Sequence, residues 1–160
     1  MTVHAIDKKA LYSYLEEIKD PEVPVLSIID LGIVRDVVMH EDDEVEVTIT
    51  PTYNGCPAMD MIATNIRIML ATLGFKKYKV TQILSPAWTT DWMSEEGKRK
   101  LKDYGIAAPD QRFTVAEDGI ECPQCNSKNT HLISQFGSTA CKALYQCNDC
   151  KEPFDYFKCH

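Results

Sequence analysis

EVEVTITPTYNGCPAMDMIATNIRIMLATLG, Glu44 to Gly74, reads as a strand, a turn and a helix in one pass. Val45, Val47 and Ile49 alternate with Glu46, Thr48 and Thr50, the period-2 pattern of a half-buried strand. Pro57 suits the first turn of a helix, where a backbone N–H would have no partner anyway. Behind it Met61, Ile62, Ile66, Met69, Leu70 and Leu73 recur at helical spacing and are expected to form the buried stripe, with Gly74 as the stop. Methionines at that spacing read as core rather than as a soft metal site. The turn between strand and helix holds Cys56, far from the other six cysteines, which all lie beyond position 120.

Working outward, Leu11, Tyr14, Leu15 and Ile18 mark a helix from Lys8 to Ile18 with Asp7 as its N-cap. It should stop before Asp20-Pro21, since a residue preceding proline disfavours the helical conformation. DPEVP then reads as an extended turn. Ile33 to Met39 is apolar and β-branched, a strand joined to the next by the solvated tip HEDDE. Tyr78 to Leu84 reads as a third strand, SPAWTTDWM as a loop, and Ser94 to Tyr104 as a short charged helix closed by Gly105. The order helix–strand–strand–helix–strand–helix predicts an α+β domain: a small mixed sheet with helices on one face. It is expected to span residues 1–110, with a zinc-ribbon β domain over 111–160 and the junction between Pro109 and Asp118.

The ribbon is read from Cys122-Pro-Gln-Cys125 and Cys147-Asn-Asp-Cys150, two CxxC knuckles separated by 21 residues. THLISQF, ALYQC and FDYFK read as its strands. Two such knuckles hold a tetrahedral S₄ site, here expected to bind Zn²⁺ through Cys122, Cys125, Cys147 and Cys150. So short a segment buries too little to fold alone, which makes the metal its core. An iron-loaded S₄ centre that carries electrons has the same ligand set. A purely structural ribbon serving as a docking surface is the third possibility. Cys141 reads as a small buried residue; Cys159 and His160 are further potential ligands whose role the pattern leaves open.

Cys56 admits two readings. The free N–H groups at a helix start favour a thiolate, which would lower its pKa. A buried structural cysteine is the alternative. A nucleophilic enzyme would add a base, and none of His4, His40, His131 or His160 sits in a supporting motif. A thiolate without a base suits metal or sulfur ligation better than acyl transfer. Asp20 and Glu22 are open in the same way, as turn and capping groups or as metal ligands.

Composition excludes several classes. The chain has 160 residues and a formal net charge of −7. Residues 1–110 carry 18 acidic against 12 basic side chains, and residues 111–160 carry 6 against 5. Neither half offers the basic surface that phosphate-backbone binding needs, so nucleic acid is not an expected partner. No run approaches the ~20 apolar residues of a membrane span, and the polar N-terminus lacks the apolar segment of a secretory signal, so a cytoplasmic protein without a membrane partner is expected. No Glu-x-x-His pair for a di-iron bundle and no glycine-rich dinucleotide fingerprint occurs.

DPEVP, SIIDLGIVRDV and a Cys-Pro dipeptide opening a helix resemble the SufT-like iron–sulfur assembly domain over about Ile6 to Leu101. SPAWTTDWMSEEGKRKLKDYGIAAP, CPQC, SQFGSTACKALYQC and EPFDYFKC resemble the D-subunit family of bacterial phenylacetyl-CoA epoxidase systems, over essentially the whole chain. The resemblance implies an accessory role in aerobic phenylacetate catabolism, within a multicomponent monooxygenase system and without intrinsic catalysis or catalytic residues of its own. It implies maturation or maintenance of an iron–sulfur centre, with other subunits of the epoxidase complex as partners, above all the iron–sulfur flavin reductase. By position it makes Cys56 the reactive cysteine, handling iron, sulfur or a cluster transiently, and Asp20, Glu22 and Asp30 its acidic neighbours. The competing expectations are an electron-transfer protein using an iron-loaded Cys₄ site and a non-chemical scaffold module.

Overall fold

The computed structural model describes residues 6–53, 55–108 and 119–157. His4, Cys159, His160 and the expected junction at 109–118 lie outside them. The described chain forms two compact units.

The first unit comprises the residues up to Trp88 together with Trp92–Ser94. It runs α1 (Lys8–Glu16), β1 (Val34–Met39), β2 (Glu44–Ile49), α2 (Ala58–Thr72) and β3 (Lys77–Gln82). Asp7 caps α1, its Oδ1 accepting from the Ala10 N–H at 2.7 Å. The helix stops two residues short of the apolar periodicity because the chain beyond it pairs in extended form: Lys19 bridges to Ser27, and the Ile28 N–H donates to the Ile18 carbonyl. β1 pairs antiparallel with β2 and β2 parallel with β3, giving the expected mixed sheet in the order β1-β2-β3. Its buried face presents Val37, Val45, Val47 and Ile49, while α1 buries Leu11 and Leu15 and α2 buries Ile62, Ile66 and Leu70.

One expected core residue is misplaced by the sequence reading. Met61 is 56% exposed, and Ala58 and Met59 are buried instead. Positions 59, 62, 66 and 70 share a face at 100° per residue; Met61 and Ile68 fall more than a right angle away from it. The third strand is also shifted, running from Lys77 to Gln82 rather than from Tyr78 to Leu84.

The segment Ser27–Ile33 packs inward, with Ile28, Leu31 and Ile33 fully buried. Gly32 sits at φ +73°, and a methyl group there would run into the Trp92 carbonyl. The Trp88 indole N–H donates to the Leu31 carbonyl at 2.7 Å, and the Arg35 guanidinium lies 3.5 Å above the Trp92 ring. Trp88 and Trp92 thus close over the Leu31-Gly32 turn; the stretch that carries them, expected to be a plain loop, includes a 3₁₀ turn, Thr90–Trp92.

The second unit comprises Thr89–Asp91 and the described residues from Glu95 onward. It contains α3 (Glu95–Asp103), β4 (Ile106–Ala107), β5 (Thr130–Ser134), β6 (Lys142–Cys147) and β7 (Pro153–Phe157), with sheet order β4-β7-β6-β5. β5, β6 and β7 form the expected antiparallel ribbon. β4 adds to it in parallel, Ile106 opposite Asp155 and Ala107 opposite Tyr156. Contacts therefore group α3 and β4 with the ribbon, upstream of the expected boundary at 110/111. A two-residue strand is too short to leave a periodic signal. The small core holds Ala107, Cys122, Ala143, Cys147, Phe154 and Tyr156, with the Tyr145 ring stacked on Phe154 and edge-on to Tyr156. Cys141 is buried, as expected. No described helix is long and apolar enough to cross a membrane.

Candidate functional site

Two sites emerge, one in each unit. In the second, the knuckles bring Cys122, Cys125, Cys147 and Cys150 together, with all four sulfurs within 4.8 Å of one another. Cys122 and Cys150 Sγ are 3.8 Å apart, and Cys125 and Cys147 Sγ 3.5 Å. A tetrahedral ion with ~2.3 Å metal–sulfur bonds requires sulfur–sulfur edges of ~3.8 Å, so this donor set fits one such ion.

The knuckles are built alike. In each, the N–H of the first cysteine donates to the carbonyl five residues on: Cys122 to Ser127 at 2.8 Å, Cys147 to Glu152 at 3.0 Å. In each, the residue after the second cysteine adopts the left-handed conformation, Asn126 at φ +62° and Lys151 at φ +67°. The repeated turn places both sulfurs of a pair on one side. A polar clamp joins the knuckles: Asp149 accepts from the Ser127 hydroxyl and from the Asn129 amide at 3.0 Å, and the Asn148 amide donates to Asn129 Oδ1 at 2.9 Å. Four sulfurs this close call for a cation. The Cys150 N–H holds the Cys147 thiol down to about 7. The Glu152 N–H draws Cys150 down as well, but burial and the three other sulfurs push it up to about 12.

The first unit assembles Cys56 from distant segments. Pro57 is the N-cap of α2, so Cys56 stands one residue before it. Its carbonyl accepts from the Met59 N–H, and its sulfur meets the Ala58 N–H. The residue is only 9% exposed. The expected lowering of its pKa is reversed. Burial, together with the charges of Glu22 and Asp20, raises it and outweighs the Ala58 N–H and the Tyr53 hydroxyl, which favour the thiolate. At neutral pH the sulfur is held as a thiol.

The expected acidic neighbours separate into different roles. Asp20 is buried, and its Oδ1 accepts from the Glu22 and Val23 N–H groups at 2.8 and 2.9 Å, forming the turn of DPEVP. Asp30 is tied reciprocally to Ser27: its Oδ2 accepts from the Ser27 N–H, and its own N–H donates to the Ser27 hydroxyl. Its Oδ1 accepts from the Ser94 hydroxyl at 3.3 Å. Glu22 Oε1 accepts from the Tyr53 hydroxyl at 3.3 Å, and that hydroxyl is also hydrogen-bonded with Cys56. Burial and these two partners raise the Tyr53 phenol. Cys56, Tyr53, Glu22 and Asp20 thus interact as one group, while Asp30 belongs to the turn held by Ser27 and Ser94. Among the described residues, the four ribbon cysteines are the only group of three or more metal-ligating side chains near enough to share an ion. Sequence reasoning missed Tyr53. The available signal was its place in the same turn, three residues before the thiol.

The described histidines do not serve Cys56. His40 faces Glu46 at 3.9 Å, and His131 Nδ1 is 2.8 Å from Asn148 Oδ1.

Comparison with known proteins separates the same regions. Residues 8–82 match the family described as "Iron-sulfur cluster assembly protein", and residues 107–158 the "PaaD zinc beta ribbon domain". A protein of Escherichia coli (strain K12), provisionally named as the D subunit of 1,2-phenylacetyl-CoA epoxidase, is 48% identical over 151 residues, covering 93% of this chain and 91% of that protein. The Fe-S protein maturation auxiliary factor of Bacillus subtilis (strain 168) is 38% identical over 95 residues, 59% of this chain and 92% of its own. The crystal structure of a domain of unknown function from Bacillus anthracis superposes with a TM-score of 0.56 at 31% identity, covering 59% of this chain and 90% of that one. With near full-length similarity and both segments matched, this chain belongs to the D-subunit family of 1,2-phenylacetyl-CoA epoxidases.

Proposed function

We propose that the chain is an accessory protein of a phenylacetyl-CoA epoxidase system that assists the maturation or maintenance of an iron–sulfur centre in a partner protein. The observation that carries this reading is the Cys56 group. A thiol at a helix start, next to a hydroxyl and within reach of the charges of two carboxylates, and without a histidine base among the described residues, lies inside the segment that matches the iron–sulfur assembly family. Such a thiol suits brief ligation of iron or sulfide as cargo better than acyl transfer.

The ribbon cysteines Cys122, Cys125, Cys147 and Cys150 would hold one Zn²⁺, whose contribution when bound is cohesion of a core too small to stand alone. The partners of this reading are other epoxidase subunits, foremost the iron–sulfur flavin reductase, and its setting is the cytoplasm. The test is to purify the reductase from cells carrying either the unaltered chain or Cys56→Ser and to count iron and acid-labile sulfide. The reading expects a several-fold loss of both in the variant. Unchanged cluster content would leave a scaffold role in its place.

A further inference from the structure

Three carboxylates were candidates to work beside the Cys56 sulfur, and their hydrogen bonds rank them. Asp20 is pinned by two backbone N–H groups, and moving it would take the acceptor from the buried Val23 N–H and the part-buried Glu22 N–H. Asp30 is locked into a reciprocal bond with Ser27 and a further bond from Ser94. The Glu22 carboxylate instead accepts from a side-chain hydroxyl, that of Tyr53, in a contact that spans 31 positions of the chain. The same hydroxyl also acts on the Cys56 sulfur, where the Glu22 charge is felt as well, so Tyr53 stands between the thiol and that carboxylate.

We propose that Tyr53 is the positioning residue of the Cys56 site, its hydroxyl holding the Glu22 carboxylate beside the sulfur. A thiophilic cation such as ferrous iron that reaches Sγ then meets Glu22 as its oxygen partner, while Asp20 and Asp30 remain part of the frame. The naming of ferrous iron rests on the maturation reading; the link through the hydroxyl does not. Glu22 meets Tyr53 through a side-chain bond that a cation can replace, whereas Asp20 can turn toward one only by dismantling its turn.

A double-mutant cycle tests this without any iron. The full-length, zinc-loaded chain is treated with iodoacetamide under anaerobic conditions at neutral pH, and the alkylation rate of Cys56 is followed by peptide mass spectrometry. The unaltered chain is compared with Glu22→Gln, Tyr53→Phe and the double variant. Glu22→Gln removes a charge that opposes the thiolate and is expected to speed alkylation about threefold when Tyr53 is present. In the Tyr53→Phe background, where the bond from the hydroxyl is lost, the factor should fall toward one. An equal factor in both backgrounds overturns the proposal. Glu22→Ala supplies a second comparison, free of any hydrogen bond from the glutamine amide, and zinc content with circular dichroism verifies that each variant is folded. Equal factors alongside a cluster loss in the partner reductase would remove Tyr53 and keep the maturation reading. Lost coupling alongside unchanged partner clusters would keep Tyr53 and remove the maturation reading.

Discussion

The molecule holds its cysteines in two opposite ways. The ribbon site is local and repetitive: two short turns of the same construction each supply two sulfurs, and the four lie close enough to share one metal ion. The Cys56 site is non-local. Its sulfur comes from the start of α2, its hydroxyl from the turn before it, and its carboxylates from a turn some thirty residues upstream. The first arrangement suits permanent binding, since four thiolates at tetrahedral spacing release a metal reluctantly. The second keeps its thiol buried and protonated, with fewer ligands close by, and suits brief custody of cargo.

The largest expected effect lies in the ribbon. Removing its metal with a chelator, or substituting Cys147→Ser, should cost about 10 kcal/mol of coupled binding and folding. Amide protection should vanish from β5, β6 and β7 and persist in β1, β2 and β3. A ribbon that stays folded without metal would break the contrast, because its cohesion would then come from the small core around Ala143, Phe154 and Tyr156.

Next comes the frame of the first unit. Gly32→Ala places a methyl group against the Trp92 carbonyl at a φ that favours glycine, and should destabilise that unit by about 3 kcal/mol in urea unfolding. Zinc content should be unchanged. A smaller step separates frame from chemistry: Asp20→Ala should cost about 1–2 kcal/mol by orphaning two N–H groups, whereas Asp20→Asn retains Oδ1 and should cost well under half of that. Equal losses would mean that the charge of Asp20, rather than its acceptor oxygen, is what matters.

The smallest effect concerns pH. The folded state raises the pKa of Cys56, so it holds the thiol proton more tightly than the unfolded chain does. Stability from this source is fully present below the unfolded thiol value and is lost as pH rises above about 9. The stability difference between the unaltered chain and Cys56→Ser should therefore shrink as pH rises through that range, as measured by urea midpoints. A difference independent of pH would mean that the thiol is not held protonated by the fold.

How much was legible follows the same division. Both knuckles could be read because their ligands lie within a few residues of each other and their spacing is dictated by tetrahedral sulfur geometry. Alternation exposed β2, and the helical spacing of Leu11, Tyr14, Leu15 and Ile18 behind Asp7 exposed α1. Met61 was misassigned because several apolar residues crowd the first turn of α2, and only packing decides which face turns inward. β4 escaped because two residues carry no period. The raised pKa of Cys56 escaped for a deeper reason: the helix start argued for a thiolate, but the tertiary burial that opposes it has no local signature. Asp20 and Asp30 were expected beside Cys56 from the family resemblance, and only their hydrogen bonds to Val23, Ser27 and Ser94 show them holding turns.

The most direct test of the division between a permanent and a passing site is metal stoichiometry. The unaltered chain and Cys56→Ser are purified anaerobically, incubated with ferrous iron and sulfide, passed through a desalting column, and assayed for zinc, iron and acid-labile sulfide. The account predicts about one zinc per chain in both, with iron and sulfide retained by the unaltered chain and several-fold less by the variant. Iron and sulfide retained equally by both, or zinc lost with Cys56, would contradict it.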